Sequence, residues 1–460
     1  MSHPELAVSS GLYWTTVALF VTCLILIVSE KIDKTKVALF GATTLMITSI
    51  VDQSDAFYSP HLGIDYNVVF LLIGMMIVVG VLGRSGAFEW TAVKLAKAAK
   101  GRPYPILVIF LLLTAVFSAF LDNVTTVLLF APVTLLIADE LEVDPTPFLI
   151  VEALASNVGG TATLIGDPPN LIIASRTGLT FMDFIVHLGP AVVVMLAALV
   201  VVVHFLFRNK LVVDDARREH IMAMDESKLI RDPKLVKQSL AVLALITVGF
   251  VLHGWIHLEP ATIALFGAAL LLLIADLDVH EIFAKDVEWP TIFFFIGLFI
   301  MVGGVVKVGL VGDLSKLVIA WTEPTETSMV TTSLVLLWVS GILSAFLDNI
   351  PYVATMAPLV ADMGSQVLGA PAIVDGAPDP DIMHHPVLMP VWWALALGSC
   401  LGGNGSPIGA SANVVVLGLA ARSGRPVSFL KFMAYGVPVT ILTLAIATVY
   451  VYLRYYVLGV

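Results

Sequence analysis

Residues 118–125 read Ser-Ala-Phe-Leu-Asp-Asn-Val-Thr, and this stretch decides the fold because the chain contains it twice. The second copy, at 344–351, reads Ser-Ala-Phe-Leu-Asp-Asn-Ile-Pro. A second motif follows each copy. Gly-Gly-Thr-Ala-Thr-Leu-Ile-Gly-Asp-Pro-Pro-Asn at 159–170 pairs with Gly-Gly-Asn-Gly-Ser-Pro-Ile-Gly-Ala-Ser-Ala-Asn at 402–413. Two halves that carry the same parts in the same order are typical of secondary transporters, whose site lies between the repeats.

The composition is that of a polytopic membrane protein. Of the 460 residues, 58% are hydrophobic and 13% are charged, whereas soluble domains carry roughly 25% charged residues. Two cysteines, Cys23 and Cys400, are too few for a disulfide framework or a thiolate metal site. The first ten residues lack a basic segment, so no cleavable signal peptide is expected. With no nucleotide-binding loop and no long polar domain, the chain is predicted not to be an enzyme and to need no cofactor beyond a coupling ion.

The predicted fold is an all-α polytopic membrane protein with two inverted-topology repeats, 1–207 and 238–460, joined by a linker at 208–237. Each repeat is expected to hold about five transmembrane helices, a re-entrant hairpin and a broken helix. The polar tip of a re-entrant hairpin must be buried in protein or face water. A plain spanning helix is the alternative interpretation of each hairpin. The hairpins are predicted at about 104–138 and 328–366, the broken helices at about 148–175 and 390–421, and the other spans at about 11–29, 37–51, 67–83, 185–207, 238–252, 259–275, 291–307 and 433–458.

The positions of the basic residues predict the orientation, because cytoplasmic loops hold the excess of Lys and Arg. With both termini outside and the linker at 208–237 in the cytoplasm, 20 of the 24 basic residues lie on the cytoplasmic side. The first hairpin then enters from the cytoplasm and the second from outside, which inverts the repeats. The expected location is the cell membrane.

Each hairpin tip carries one acid, Asp122 or Asp348, followed by an Asn. A charged side chain at membrane depth is costly and is by default a functional-site hypothesis. Such a carboxylate can bind Na⁺ when ionised or take up a proton. The structural alternative is that each Asp caps the helix that follows. Asp167, in the first Gly-rich motif, is open to the same two interpretations, and Ala410 stands at its place in the second.

The Gly-rich motifs are predicted to break their helices in the middle of the membrane, because paired glycines weaken a helix and Pro168-Pro169 cannot continue one. Backbone carbonyls and helix N-termini would then face a solute. Neither break contains Lys or Arg, which favours a neutral, monovalent or cationic solute. The predicted coupling-ion residues are Asp122, Asn123, Asp348 and Asn349. The predicted solute-binding residues are Gly159, Gly160, Thr161, Thr163, Asp167, Asn170, Gly402, Gly403, Asn404, Ser406, Ser411 and Asn413. No bound metal cofactor is predicted.

On these paired motifs the chain resembles the ion transporter superfamily, and within it the arsenite pump and NhaD-type sodium–proton antiporter group, which includes the P proteins and their bacterial relatives. The resemblance covers nearly the whole chain. It implies two inverted repeats, a homodimer and an elevator motion. Related dicarboxylate carriers have Ser-Asn-Thr at the hairpin tips, where this chain has Asp-Asn-Val and Asp-Asn-Ile. That difference favours proton exchange over sodium–dicarboxylate cotransport.

The leading functional prediction is therefore proton-coupled efflux of a small inorganic solute such as arsenite or antimonite, with H⁺ or Na⁺ as the coupling ion. The alternatives are a sodium–proton antiporter and a sodium-coupled anion transporter of the same superfamily. A channel and an intramembrane aspartyl protease built on Asp122 and Asp348 fit the repeats less well. The expected partners are the lipid bilayer, a small ion or solute and a second copy of the chain; a partner ATPase stays open, and no nucleic acid is expected.

Overall fold

Helices form almost all of the regular structure in this computed structural model. It describes residues 10–29, 31–59, 62–211, 213–325, 328–374 and 377–459. Residues 1–9, at the end of the chain that is predicted to lie outside the cell, are not among the described residues. The α-helices are α1 Ser10–Ser29, α2 Lys34–Ile47, α3 Gln53–Tyr58, α4 Tyr66–Arg84, α5 Ala87–Ala98, α6 Pro103–Phe120, α7 Asn123–Glu140, α8 Thr146–Gly160, α9 Pro168–Thr177, α10 Phe181–Phe207, α11 Asp215–Ala223, α12 Pro233–Ile256, α13 Pro260–Ile274, α14 Val279–Lys285, α15 Trp289–Lys307, α16 Leu310–Thr322, α17 Val330–Ser344, α18 Asn349–Leu368, α19 Pro380–Met383, α20 Met389–Gly402, α21 Ser411–Arg422 and α22 Phe429–Val451.

Short elements complete the described part of the chain. Two-residue strands β1 (Ile373–Val374) and β2 (Ala377–Pro378) pair antiparallel, with Ile373 opposite Pro378. They and α19 lie in the second half between α18 and α20. Short 3₁₀ turns occupy Glu226–Leu229 and Gly403–Gly405, and a π-helical turn, Tyr452–Val457, continues α22.

Eight of the described helices are long and apolar enough to cross a membrane, so the chain is an all-α polytopic membrane protein. They include both arms of the first hairpin, α6 and α7, with 18 residues each. At about 1.5 Å per residue each arm is roughly 27 Å long, close to the ~30 Å hydrocarbon core of a bilayer. The re-entrant character of the hairpins stays a prediction.

The helices recur in the same order in the two halves. Helices α1–α10 correspond to α12–α18 followed by α20–α22, and α11 lies in the linker. Packing crosses between the halves, since α4 packs against α13 while α15 packs against α2. Small residues make both contacts close: Gly74 of α4 meets the backbone of Ala264, and Gly297 of α15 meets that of Ala38. Ala38 and Ala264 are separated by the same spacing as the two copies of the hairpin motif, so the crossed contacts follow the sequence repeat.

Ion pairs join the loops at each end of the molecule. Arg84 at the end of α4 reaches Asp286 at 2.8 Å, and Lys307 at the end of α15 reaches Asp55 at 2.5 Å. Lys97 on α5 binds Glu226 in the linker at 2.5 Å, and this hydrogen bond lowers the pKa of Glu226 below its usual value. These pairs join loops that the count of basic residues places on the same side. Which of the two sides is cytoplasmic stays a prediction.

Candidate solute and ion site

The two hairpin tips and the two broken helices meet around one cavity of about 310 Å³. Its walls come from the end of α1, from α2 and α4, the tips of both hairpins, the first turns of α9 and α15, and the start of α21. The polar side chains among its lining residues are Asp33, Lys34, Asp122, Glu288, Thr291, Asp348 and Ser411. The structure thus places both predicted tip acids in one cavity. It adds three charged residues that sequence reasoning missed: Lys34 of α2 and the N-cap residues of α2 and α15, Asp33 and Glu288. We refer to this space as the tip cavity.

Asp122 lies in the two-residue gap between α6 and α7, where it is the N-cap of α7. One carboxylate oxygen accepts from the backbone N–H of Thr125 at 2.8 Å, and the other accepts from the Thr125 hydroxyl. A carboxylate at a helix N-terminus satisfies an otherwise free N–H and is stabilised by the helix dipole. Asp122 therefore caps a helix and faces the tip cavity at once, so the structural interpretation does not exclude the functional one.

Asp348 also caps its helix, α18, by accepting from the N–H of Ile350 at 3.1 Å, but it has a cationic partner as well. The Lys34 ammonium donates to Asp348 at 2.7 Å and to the hydroxyl of Ser411 at 2.8 Å. Ser411, at the start of α21, in turn donates to Asp348 at 3.1 Å. The breaks themselves contain no basic residue, but folding brings a lysine from 314 positions away to the tip of the second hairpin. The sequence offers no local signal for this contact.

Asp167 connects the two hairpins. It occupies the N-cap position of α9 without a capping hydrogen bond from its side chain. Its carboxylate instead accepts from the side-chain amides of Asn123 and Asn349, each at 3.1 Å. Asn123 and Asn349 follow the two tip acids, so one buried carboxylate holds both tips together. Asp167 is therefore not a helix cap, and its role in coupling stays a prediction.

Asn157, in the last turns of α8, links the halves in the same way. Its amide oxygen accepts from Asn123 at 3.1 Å. Its amide nitrogen donates to Asn404 at 2.8 Å and to Asn413 at 3.1 Å. All four side chains are buried. Sequence reasoning missed Asn157, although an amide inside the apolar run before Gly159 was a signal that could have identified it.

Most of the other predicted solute residues hold the breaks together from inside. Asn170 donates to the carbonyls of Thr161 and Thr163 at 3.1 and 2.8 Å, and Asn413 donates to those of Gly403 and Ser406 at 2.8 and 2.9 Å. Carbonyls that were expected to face a solute thus already accept hydrogen bonds from asparagines. The two sets of bonds are near copies of each other, since Asn170 and Asn413 each end their copy of the Gly-rich motif.

One hydroxyl of each break donates to the neighbouring hairpin. Thr163 donates to the carbonyl of Ala119, and Ser406 donates to that of Ala345 at 2.5 Å. The glycines allow the backbones to approach, since a Cβ on Gly402 would lie 2.8 Å from the Cα of Gly341. Of the predicted solute residues, Ser411 lines the tip cavity; Gly159, Gly160, Thr161, Thr163, Asp167, Asn170, Gly402, Gly403, Asn404, Ser406 and Asn413 are absent from its lining.

A second, larger cavity of about 680 Å³ lies at the other end of α9. Leu164 and Leu171 of the first break line it, together with Asp65 and Arg176. Pro168, the first residue of α9, lines the tip cavity instead. Helix α9 therefore borders both spaces, the tip cavity with its first residue and the larger cavity with residues from Leu171 onward. In the predicted orientation the tip cavity opens toward the cytoplasm and the larger cavity toward the outside.

Comparison with known proteins agrees with this architecture. A model of the citrate transporter family matches residues 24–398, well over half of the chain. The chain belongs to this family. An uncharacterised transporter of Mycobacterium tuberculosis is 48% identical over 442 residues, which are 96% of this chain and 98% of that protein. A 46 kDa membrane protein of Mycobacterium leprae is 42% identical over 443 residues, 96% of this chain and 99% of the relative.

More distant relatives of this member of the citrate transporter family confirm the predicted resemblance. The human P protein is 31% identical over 509 residues, which cover 94% of this chain and 59% of the P protein. Among solved structures, the YdaH transporter of Alcanivorax borkumensis matches 96% of this chain and 98% of its own, with a TM-score of 0.54 and 14% identity. At that identity the likeness concerns the fold alone. The chain is therefore a membrane transporter of the citrate transporter family, related to the P proteins.

Proposed function

We propose that this protein is a proton-coupled secondary transporter in which Asp122 and Asp348 exchange protons against a small solute bound in the tip cavity. The observation that carries the proposal is the meeting of both tip acids in one cavity, each at the N-cap of a hairpin helix. Loss of water disfavours the charged form of a carboxylate and a nearby cation favours it, so a solute that enters the cavity shifts the proton affinity of the tip acids. Solute binding and proton binding at these acids then depend on each other.

The solute that we propose is small and neutral or cationic, with arsenite and antimonite as the first to test. Lys34 is the one basic residue in the described lining of the tip cavity, whereas the acids in that lining are Asp33, Asp122, Glu288 and Asp348. A multiply charged free anion would meet this excess of negative charge. Sodium competing with protons for the same acids is the first alternative. In either case we expect the hairpins and breaks to move as a unit in an elevator motion within a homodimer.

Citrate is a second candidate, because the matching family is described by that substrate and Lys34 supplies one ammonium group beside Asp348. Free citrate carries three carboxylates, so its entry into an acidic cavity requires neutralisation of part of its charge. Protons or a bound cation would provide this. Citrate transport should therefore rise at low pH or when a divalent cation is added.

The test is solute-driven proton movement in proteoliposomes that contain the purified chain and a pH-sensitive dye. Arsenite, Na⁺ and citrate, the last with and without Mg²⁺, are applied separately to the wild type, Asp122→Asn and Asp348→Asn. Asp276→Asn, at an exposed loop position outside the tip cavity, is the matched control and should behave as the wild type. We expect proton movement with arsenite, reduced at least tenfold in the two tip variants.

If only Na⁺ drives proton movement, sodium–proton exchange replaces metalloid efflux as the assigned function. If only citrate drives it, the protein is a citrate transporter, the second candidate. Solute movement that both tip variants retain, with an unchanged pH profile, would overturn the assignment of coupling to these acids.

A further inference from the structure

Glu152, on α8, is a buried acid that lies outside the tip cavity. Its exposed fraction is 0%. One carboxylate oxygen accepts a hydrogen bond from the hydroxyl of Thr134 on α7. The other is buried and has no hydrogen-bond partner in the described part of the chain. An ionised carboxylate without a compensating partner is strongly disfavoured in such a place, so the surroundings of Glu152 suit the neutral acid.

Several ionisable groups of the helices packed against α8 have partners of their own. On α7, Asp139 pairs with Arg425 and Glu140 with His220. On α10 and α6, His204 binds Tyr104, while His187 binds Tyr455. The remaining ionisable residues of α10 and of α20 to α22, with the turn that continues α22, are Asp183, Cys400, Arg422, Lys431, Tyr435, Tyr450, Tyr452, Arg454 and Tyr456. Glu152 is the one ionisable residue of α8 itself.

Glu152 lies on α8 between the predicted cytoplasmic end of that helix and the polar side chains beside the hairpin tips. It lies six residues after the start of α8, and Thr134 lies six residues before the end of α7. At about 1.5 Å per residue, both are roughly 9 Å from the predicted cytoplasmic ends of their helices. In the other direction, Asn157 is five residues further along α8 and binds Asn123 beside the first tip acid.

Packing does not require an acid at this position. In the second half, Leu395 stands as far before Gly402 as Glu152 stands before Gly159, and it is also fully buried on the corresponding helix α20. The two helices make the same kind of contact, α8 with α6 and α20 with α17. An apolar side chain thus fills the equivalent position, and an ionisable residue at membrane depth suggests a function.

We propose that Glu152 is a further proton-binding site of this transporter, outside the tip cavity. With α7 and α8 packed as observed, the carboxylic acid keeps its proton and shares a hydrogen bond with Thr134. When the helices move and water reaches the side chain from the predicted cytoplasmic ends, the O–H bond breaks, the proton passes to water and a carboxylate remains. Proton binding at Glu152 is independent of the solute, whereas its coupling to transport rests on the proposed function.

The experiment is carbodiimide labelling of the full-length protein in proteoliposomes, followed by mass spectrometry of the modified residues. Hydrophobic carbodiimides react with protonated carboxyl groups in apolar surroundings, so we expect an adduct at Glu152 at pH 6. The yield should fall at least tenfold at pH 9, because the carboxylate no longer carries the proton that the reaction needs. Glu142, exposed and paired with Arg217, is the internal control and should stay unlabelled.

Labelling of the wild type decides the proposal even if Glu152→Gln fails to fold. Absence of an adduct at Glu152 between pH 5 and pH 9, or a yield that does not change with pH, would overturn it. For a transported solute, Glu152→Gln should also alter the number of protons moved per solute, and an unchanged ratio would refute the coupling. If no tested solute moves, labelling still tests proton binding, so the two proposals fail separately.

Discussion

At the residue scale, the two tip acids occupy equivalent sequence positions but have different surroundings. Asp348 is paired with Lys34, whereas Asp122 accepts hydrogen bonds from Thr125 alone among the contacts described. The asymmetry begins in the sequence, since Pro260 stands at the position of the second half that is equivalent to Lys34. In the proposed mechanism, a cation that binds at Asp348 has to compete with the Lys34 ammonium, whereas no such competitor is described at Asp122. Duplication therefore produced two similar hairpins around one asymmetric site.

The ion pair between Lys34 and Asp348 should contribute measurably to stability. We expect Lys34→Met and Asp348→Asn each to lower the free energy of unfolding by about 1–2 kcal/mol, since each leaves a partly buried partner uncompensated. The double variant should lose less than the sum of the two, because no isolated charge then remains. Denaturant unfolding of the purified protein in detergent measures all three. Lys36→Met, at an exposed position one half-turn away, should change stability little; strictly additive losses would show that the pair contributes nothing.

At the element scale, the helix ends at the hairpin tips and at the breaks have local sequence signals. The breaks fall where paired glycines and prolines stand, and the hairpin turns fall at the two Asp-Asn pairs. Local signals do not show which groups meet after folding. Lys34 with Asp348, Asn157 with Asn404, and Glu152 with Thr134 are contacts between distant segments, so the sequence pattern did not reveal them. The glycines that were predicted to contact the solute lie at close helix contacts, and their contact with a solute stays a prediction.

The packing role of these glycines leads to a matched pair of substitutions. A Cβ at Gly402 would lie 2.8 Å from the Cα of Gly341, whereas a Cβ at Gly418 on α21 would meet no heavy atom within 4 Å. Gly402→Ala should therefore lower the free energy of unfolding by about 1–3 kcal/mol through overpacking. Gly418→Ala should raise it by about 0.5–1 kcal/mol, because alanine favours the helix. Both are measured by denaturant unfolding in detergent; equal effects would mean that α17 and α20 are not closely packed.

At the scale of the whole molecule, the crossed packing of α4 with α13 and of α15 with α2 makes the two halves interdependent. The ion pairs at the ends of α4 and α15 repeat this relation, since Arg84 pairs with Asp286 at the end of α14 and Lys307 pairs with Asp55 on α3, each in the other half. Asp55 and Glu281, which accept from Lys307 and Arg84, themselves occupy equivalent positions in the two halves. Such a crossed arrangement is what two inverted repeats would produce, and the sidedness of the membrane is its testable consequence.

The predicted orientation places Lys316 outside the cell and Lys228 in the cytoplasm, and single cysteines at these positions can test it. Both side chains are exposed, at 69% and 81%, whereas the native Cys23 and Cys400 are buried, which keeps background labelling low. A membrane-impermeant maleimide should label Lys316→Cys in intact cells. It should label Lys228→Cys only after the cells are permeabilised. The wild type, carried through the same steps, measures the background. The reverse pattern would mean that the orientation is the opposite of the predicted one and that the tip cavity opens to the outside. Labelling of both variants in intact cells would contradict the prediction that the two loops lie on opposite sides of the membrane.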